Sequence, residues 1–90
     1  MTASDLLGAL KIDLGITSAA YDTRLKTYLT NAMLQIEREG ATLTDQIDDQ
    51  QLVIMYAAWL WRRRDTGEGM PRMVRYTLNN RILQEKMRNG

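Results

Sequence analysis

A chain of 90 residues, 44% of them hydrophobic and 26% charged, has room for one globular domain and no more. It contains no cysteine and no histidine, which excludes disulfides and thiolate chemistry and removes the commonest general base and metal ligand. The net charge of +1 conceals an asymmetry: residues 1–50 hold four basic and eight acidic side chains, whereas residues 51–90 hold eight basic and three acidic ones.

Such a charge split suits a nucleic-acid or acidic-protein partner, or copies of one chain that meet head to tail. A chance distribution of solvated charges is the alternative. The opening MTASDLLGAL lacks the basic lead and apolar run of a signal peptide, so we expect no export by that route. The longest apolar run is about half of what a membrane-spanning helix needs, and we therefore expect a soluble protein without a membrane partner.

The first predicted helix begins at Ser4 as N-cap, with Asp5 in its first turn, and ends at Gly15 as a left-handed C-cap. Four leucines recur along it at helical spacing: Leu6, Leu7, Leu10 and Leu14. The second predicted helix begins near Ser18 or Asp22 and ends at Gly40. It has the clearest amphipathic pattern in the chain, formed by Tyr21, Leu25, Tyr28, Leu29, Ala32 and Ile36.

The third predicted helix begins at Asp48, which forms a capping-box pattern with Gln51, and runs to about Asp65. It contains ten apolar residues in a row, LVIMYAAWLW, followed by three arginines. Trp59 and Trp61 lie about 160° apart on the helical wheel, so one neighbouring helix cannot cover both. A helix that is apolar on every side needs partners on every side, which predicts a central position or a contact with another subunit.

The fourth predicted helix begins at Pro71, after a link, TGEGM, whose two glycines permit tight backbone geometry. One apolar stripe on this helix consists of Val74, Leu78 and Ile82, and a second lies roughly opposite: Met73, Tyr76, Leu83 and Met87. Either both stripes are covered within the subunit, or the second contacts another molecule, which we favour for the last element of a small domain.

Strand-like alternation is absent from the sequence. The predicted fold is therefore all-α: one four-helix domain over residues 1–90, with a long apolar central helix and a C-terminal helix available for subunit contacts.

The sequence contains few features that indicate an enzyme. The only close acidic cluster, Asp45, Asp48 and Asp49, lies at a predicted helix start, where carboxylates cap free N–H groups, and we interpret it as capping rather than as a catalytic or magnesium site. The glycines of TGEGM follow no strand and lack the GK[ST] ending of a phosphate loop. The sequence thus predicts no enzyme, no metal site and no cofactor.

Basic residues concentrate in two places. The three arginines at 62–64 spread over about 200° of the third helix, and a ridge on the fourth helix is formed by Arg72, Arg75 and Lys86. Beside tryptophans, such a cluster suits DNA phosphates or acidic groups of a protein, and equally a solvated helix end that complements the helix dipole. A helix-turn-helix is disfavoured, because the fourth helix is apolar on two faces and poor in base-reading side chains.

Four segments follow one another along nearly the whole chain: DLLGALKIDLGI, YDTRLKTYLTNAMLQIE, QLVIMYAAWLWRRR and GMPRMVRYTLNNRILQ. In this order they resemble the small head-tail connector proteins of tailed bacteriophages, also called head-completion or DNA-packaging adaptor proteins. By position, Leu52 to Trp61 match the family's central helix. Met70 and Pro71 match the turn into its last long helix, which in that family contacts neighbours or the portal.

The resemblance implies a non-catalytic subunit of a homo-oligomeric ring beneath the portal protein of a filled capsid. The ring would extend the DNA channel and dock the next connector, stopper or tail protein, while double-stranded DNA passes through without specific binding. The protein would be made in the host bacterial cytoplasm and would reside at the head-tail junction of the virion.

Surplus apolar faces and opposite charge on the two halves suit a heterologous ring contact, in which acidic groups of one subunit meet arginines of the next. Leu52, Tyr56 and Trp59 are predicted to face the subunit's own core. The predicted protein interface consists of Trp61, Arg62, Arg63, Arg64, Met70, Arg72, Met73, Arg75, Tyr76, Leu83 and Met87. The alternative hypothesis is a small helical DNA-binding regulator that uses the arginines at 62–64 on phosphates.

Overall fold

The computed structural model describes residues 1–89, with side chains through residue 88. Within that range the chain is helical and contains no strand. The four α-helices, numbered in chain order, are α1 (Ala3–Leu14), α2 (Asp22–Arg38), α3 (Ile47–Thr66) and α4 (Arg72–Asn89). The predicted all-α fold with four helices is confirmed.

The start of α1 lies slightly earlier than predicted. Its N-cap is Thr2 rather than Ser4, because the Thr2 hydroxyl accepts the Asp5 N–H at 3.2 Å while the Asp5 carboxylate accepts the Thr2 N–H at 3.0 Å. This reciprocal capping box satisfies two amides that have no partner inside the helix. The predicted left-handed C-cap is confirmed at Gly15, with φ of 71°.

Both predicted starts of the second helix are used. Ser18 caps a short 3-10 turn, Ala19–Tyr21, by accepting the Ala20 N–H at 3.0 Å, and α2 continues directly from Asp22. The helix ends at Arg38, two residues before the glycine at which the sequence placed the end. That glycine, Gly40, has φ of 118°, a backbone conformation that other residues rarely adopt, so it turns the chain out of α2.

The starts of the last two helices correct the sequence prediction. The capping box of Asp48 and Gln51 does not form, because the cap position of α3 lies two residues earlier, at Gln46, whose side chain makes no capping hydrogen bond. Pro71 lies at the cap position of α4 rather than at its first helical position. Its carbonyl accepts the Arg75 N–H at 3.1 Å.

The apolar helix α3 occupies the centre of the domain, and α1, α2 and α4 all pack against it. Every side chain from Leu52 to Trp61 is buried except Met55, which is partly buried. Neighbouring helices therefore supply the cover that an all-round apolar helix needs, and the ten-residue run forms the core of a single subunit.

The amphipathic helix α2 contributes a fully buried stripe that contains Leu25, Leu29 and Ile36. The opposite side of the helix faces solvent, and Leu34 there is 47% exposed. Two leucines of one helix thus differ in burial alone, which makes them a matched pair for testing the core.

We expect Leu29→Ala to lower the free energy of unfolding by about 3 kcal/mol, because the substitution leaves a cavity in the core. Leu34→Ala should lower it by less than about 1 kcal/mol, since that side chain is half exposed. Urea titration followed by circular dichroism measures both values. Equal losses for the two variants would contradict the assigned burial of α2.

A buried ion cluster fixes α4 to the connection between α2 and α3 and to the first turn of α3. Arg81 donates from Nε to Asp49 Oδ1 at 2.7 Å, from Nη1 to Glu85 Oε1 at 3.3 Å and from Nη2 to the Thr42 carbonyl at 2.6 Å. Glu85 accepts the Thr42 N–H at 2.7 Å, and Asp49 accepts both the N–H and the hydroxyl of Thr44 at 2.8 Å. The interpretation of Asp49 as a helix cap is therefore wrong: its carboxylate binds Arg81 and Thr44.

The cluster keeps both of its carboxylates ionised. Burial by itself would raise the pKa of Asp49, but hydrogen bonds from Arg81 and Thr44 outweigh it and hold the pKa below the ordinary value of 3.8. The pKa of Glu85 lies below its ordinary value of 4.5, chiefly because its carboxylate accepts the Thr42 N–H and also because Arg88 and Arg81 face it. The pKa of Arg81 is raised by its hydrogen bond to Asp49.

We expect the free energy of unfolding to fall as the pH is lowered from about 6 to about 3. Asp49 and Glu85 are protonated at lower pH in the folded chain than in the unfolded one, so the unfolded state binds more protons in this window and acid favours it. Urea titrations at a series of pH values measure the slope. Asp49→Asn should make the slope shallower, and an unchanged slope would contradict this account.

Candidate interaction surface

The last helix, α4, is apolar on two opposite sides, and only one of them is covered. Val74 and Leu78 are buried against α3, and Ile82 packs partly buried beside them. The opposite stripe faces solvent, with exposed fractions of 64%, 63%, 55% and 73% for Met73, Tyr76, Leu83 and Met87 respectively. We call these four residues the outer face of α4. Of the two arrangements that the sequence left open, the described subunit has the one with the second stripe uncovered.

The outer face of α4 groups four large exposed apolar side chains on one side of the helix, with the polar Asn80 between Tyr76 and Leu83. From residue 73 to residue 87 it extends roughly 21 Å along the helix, at about 1.5 Å per residue. Covering one side chain of this size in full contributes about 1.5–3 kcal/mol. Exposed apolar side chains that are grouped on one face in this way mark interaction sites on small domains.

A basic ridge borders this apolar surface. Arg72, Arg75 and Lys86 lie on one side of the outer face, and the charged side chains that α4 exposes within the described range are all basic. Arg75 forms an ion pair with Glu39 at 3.0 Å, whereas Arg72 and Lys86 have no ion pair among the described residues. The surface therefore offers an apolar stripe beside positive charge.

Trp61, which the sequence predicts as an interface residue, is buried in the core of its own subunit. Tyr21 and Tyr28 meet its ring edge-to-face, at centroid distances of 5.5 and 5.7 Å. The guanidinium of Arg64 lies over the ring at 3.6 Å and donates to the Trp61 carbonyl at 2.6 Å. These neighbours leave Trp61 8% exposed, so a second subunit has little of its ring to contact.

The other residues at the end of α3 also have partners within the subunit. Arg63 lies 4.9 Å above the ring of Trp59, whose indole N–H donates to the Glu68 carbonyl at 3.2 Å. Arg62 lies 3.8 Å from Asp13 of α1. The two tryptophans are thus covered from different directions, as the helical wheel requires, and the arginines stack on or pair with their own subunit.

The structure separates the predicted interface residues into three groups, of which the first is the three arginines at 62–64, with partners in their own subunit. Met70, like Trp61, is packed against the core. The four residues of the outer face of α4, with Arg72 and Arg75 beside them, form one exposed surface on a single helix.

The described part of the chain shows neither a metal-binding cluster nor a membrane-spanning helix. No three of its acidic side chains are grouped so as to hold a metal ion. None of its helices combines the length and apolar character needed to cross a membrane. No family model, curated protein or solved structure matches this chain.

We expect Arg64→Ala to lower the free energy of unfolding by about 1 kcal/mol, because the substitution removes a cation–π contact and leaves the Trp61 ring partly uncovered. Arg62→Ala is the matched control and should cost about 0.5 kcal/mol or less, since its pairing with Asp13 is exposed and long. Urea titration followed by tryptophan fluorescence measures both. Indistinguishable values for the two variants would contradict a packing role for Arg64.

Proposed function

We propose that this protein is a structural, non-enzymatic subunit of a ring at the head-tail junction of a tailed bacteriophage. The observation that carries the proposal is the outer face of α4, a long apolar surface left uncovered on a domain whose core is complete without it. The resemblance of four segments to the head-tail connector proteins supplies the biological setting. The proposed partners are further copies of the chain, the portal protein, and the next connector, stopper or tail protein.

The first support for assembly is energetic. A domain of this size buries a modest fraction of its surface, so contacts between subunits add substantially to its stability. Four exposed side chains on one helix are available to provide them, and the ion cluster on the other side of α4 holds that helix in place. The surface is therefore presented by a fixed element rather than by a loop.

The second support concerns DNA. A duplex that moves through a channel must not bind tightly to its wall, and affinity for DNA grows with each phosphate that a lysine or arginine neutralises. The three arginines next to the tryptophans stack on rings or lie near Asp13 within their own subunit. These contacts favour a structural role for the cluster over phosphate binding, and so favour the connector over the DNA-binding regulator.

The proposal predicts that the purified protein forms a ring-sized species, measurable by sedimentation velocity or native mass spectrometry. Tyr76→Glu and Leu83→Glu should each reduce this species at least tenfold, because they place a charge in the apolar contact, at a cost of about 1.4 kcal/mol or more per contact. Both side chains are exposed, so the free energy of unfolding of the separated subunit should change little.

Thr30→Glu, at an exposed position of α2, is the matched control and should leave assembly unchanged. Duplex binding separates the two hypotheses. A monomer or dimer that binds duplex DNA with an affinity falling steeply as salt rises would contradict the connector proposal and support the regulator.

A further inference from the structure

We propose that the outer face of α4 binds α1 of a second copy of the chain, in a head-to-tail contact. The inference rests on the proposed ring and names the surface that each subunit offers to its neighbour. On α1, four exposed residues lie within about 100° of one another on the helical wheel, centred about 130° from the buried Leu6 and Leu10. We call them the outer face of α1: Asp5, Gly8, Ala9 and Ile12.

An exposed apolar residue marks the outer face of α1. Ile12 is 84% exposed, the largest exposed fraction among the exposed large hydrophobic side chains of the described chain. It lies two turns along the helix from Asp5, with the two smallest side chains between them. The outer face of α1 therefore combines a projecting apolar side chain, Ile12, with a low stretch at Gly8 and Ala9 where the backbone is exposed.

Nothing within the subunit explains why residue 8 is a glycine. It lies in the middle of α1, where glycine costs about 0.5–1 kcal/mol relative to alanine. Its φ is not positive, unlike that of Gly15, Gly40 and Gly67, and a Cβ added to it would meet no atom within 4 Å. Neither backbone conformation nor internal packing requires glycine here, whereas close approach of a helix from outside would.

The two outer faces are complementary in size and in charge. The outer face of α4 has large side chains, and the middle of the outer face of α1 has two small ones, Gly8 and Ala9, so large side chains of α4 fit against the low middle of the α1 face. The charged side chains exposed on α1 are Asp5 and Asp13, both acidic, and those exposed on α4 are all basic. A contact between the two helices therefore buries apolar surface while opposite charges face each other at its margins.

Charge also argues against pairing of α4 with itself. In an antiparallel two-fold pair, the ridges that contain Arg72, Arg75 and Lys86 would lie on the same side of the contact and repel each other. Contact between α4 and α1 of the next copy uses two different surfaces, which is the condition for a ring with more than two subunits.

Disulfide trapping tests the contact, because the chain contains no cysteine of its own. A Gly8→Cys chain is mixed with an equal amount of a Tyr76→Cys or a Leu83→Cys chain under mild oxidation, and the dimers are resolved by mass. We expect the mixed dimer in at least tenfold excess over both like pairs for one or both mixtures. A Thr30→Cys chain mixed with the same partners is the control and should give no such excess.

Two substitutions on α1 test the same contact without a cross-link. Gly8→Leu should leave the subunit as stable as before or more so, since its site is open and leucine favours a helix. It should nevertheless reduce assembly at least tenfold by blocking close approach. Ile12→Glu, introduced into the Gly8→Cys chain, should reduce the mixed dimer by a similar factor. Thr30→Leu is the matched control for added apolar bulk on an exposed helix.

The outcomes separate this inference from the proposed function. The α1–α4 contact would be overturned if both mixtures gave the mixed dimer only at the rate of the Thr30→Cys control. A predominance of like pairs formed by the Leu83→Cys chain would also overturn it, even if the unmodified protein formed a ring. Trapping through Gly8→Cys in a protein that forms only open chains would support the contact and contradict the ring.

Discussion

The structure depends on one constraint: α3 is apolar on every side over ten consecutive residues and must be enclosed. A 90-residue chain has three other helices with which to do so, and all three pack against it. Each contributes the apolar stripe that faces α3. No helix remains to cover the far side of α4, where Met73 and Met87 project into solvent. The packing that encloses α3 thus leaves one apolar side of α4 exposed.

The rotation of α4 about its axis decides which stripe is enclosed, and the ion cluster contributes to that choice. Arg81 and Glu85 lie on the same side of α4 as the buried Leu78. They bind Thr42, in the connection between α2 and α3, and Asp49, in the first turn of α3. Turning the outer stripe toward α3 would leave these buried charges without partners, at a cost of several kcal/mol. Apolar burial alone does not distinguish the two stripes as clearly, because both contain large side chains.

Much of the fold followed from local patterns. Helix number, the left-handed cap at Gly15 and the two opposite stripes of α4 were all predicted, because spacing along one helix fixes which side chains share a face. Two features of the candidate site were not. The helical wheel placed Trp61 opposite Trp59 but could not show that Tyr21 and Tyr28 cover it. The ion pair of Arg81 with Asp49 was not predicted either, because the two residues are 32 positions apart in sequence. The signal of the ion cluster in the sequence was a pair of charged residues, Arg81 and Glu85, on the same side of the helix as Leu78.

By itself, the sequence determined that the chain forms four helices, one of them apolar on every side, and that its last helix carries more apolar surface than one neighbour covers. These properties depend on residue type and on spacing within single helices. Only the tertiary structure decided which stripe stays exposed and that Arg64 serves packing. Those outcomes depend on contacts between residues far apart in sequence, whose geometry is fixed when the helices pack together.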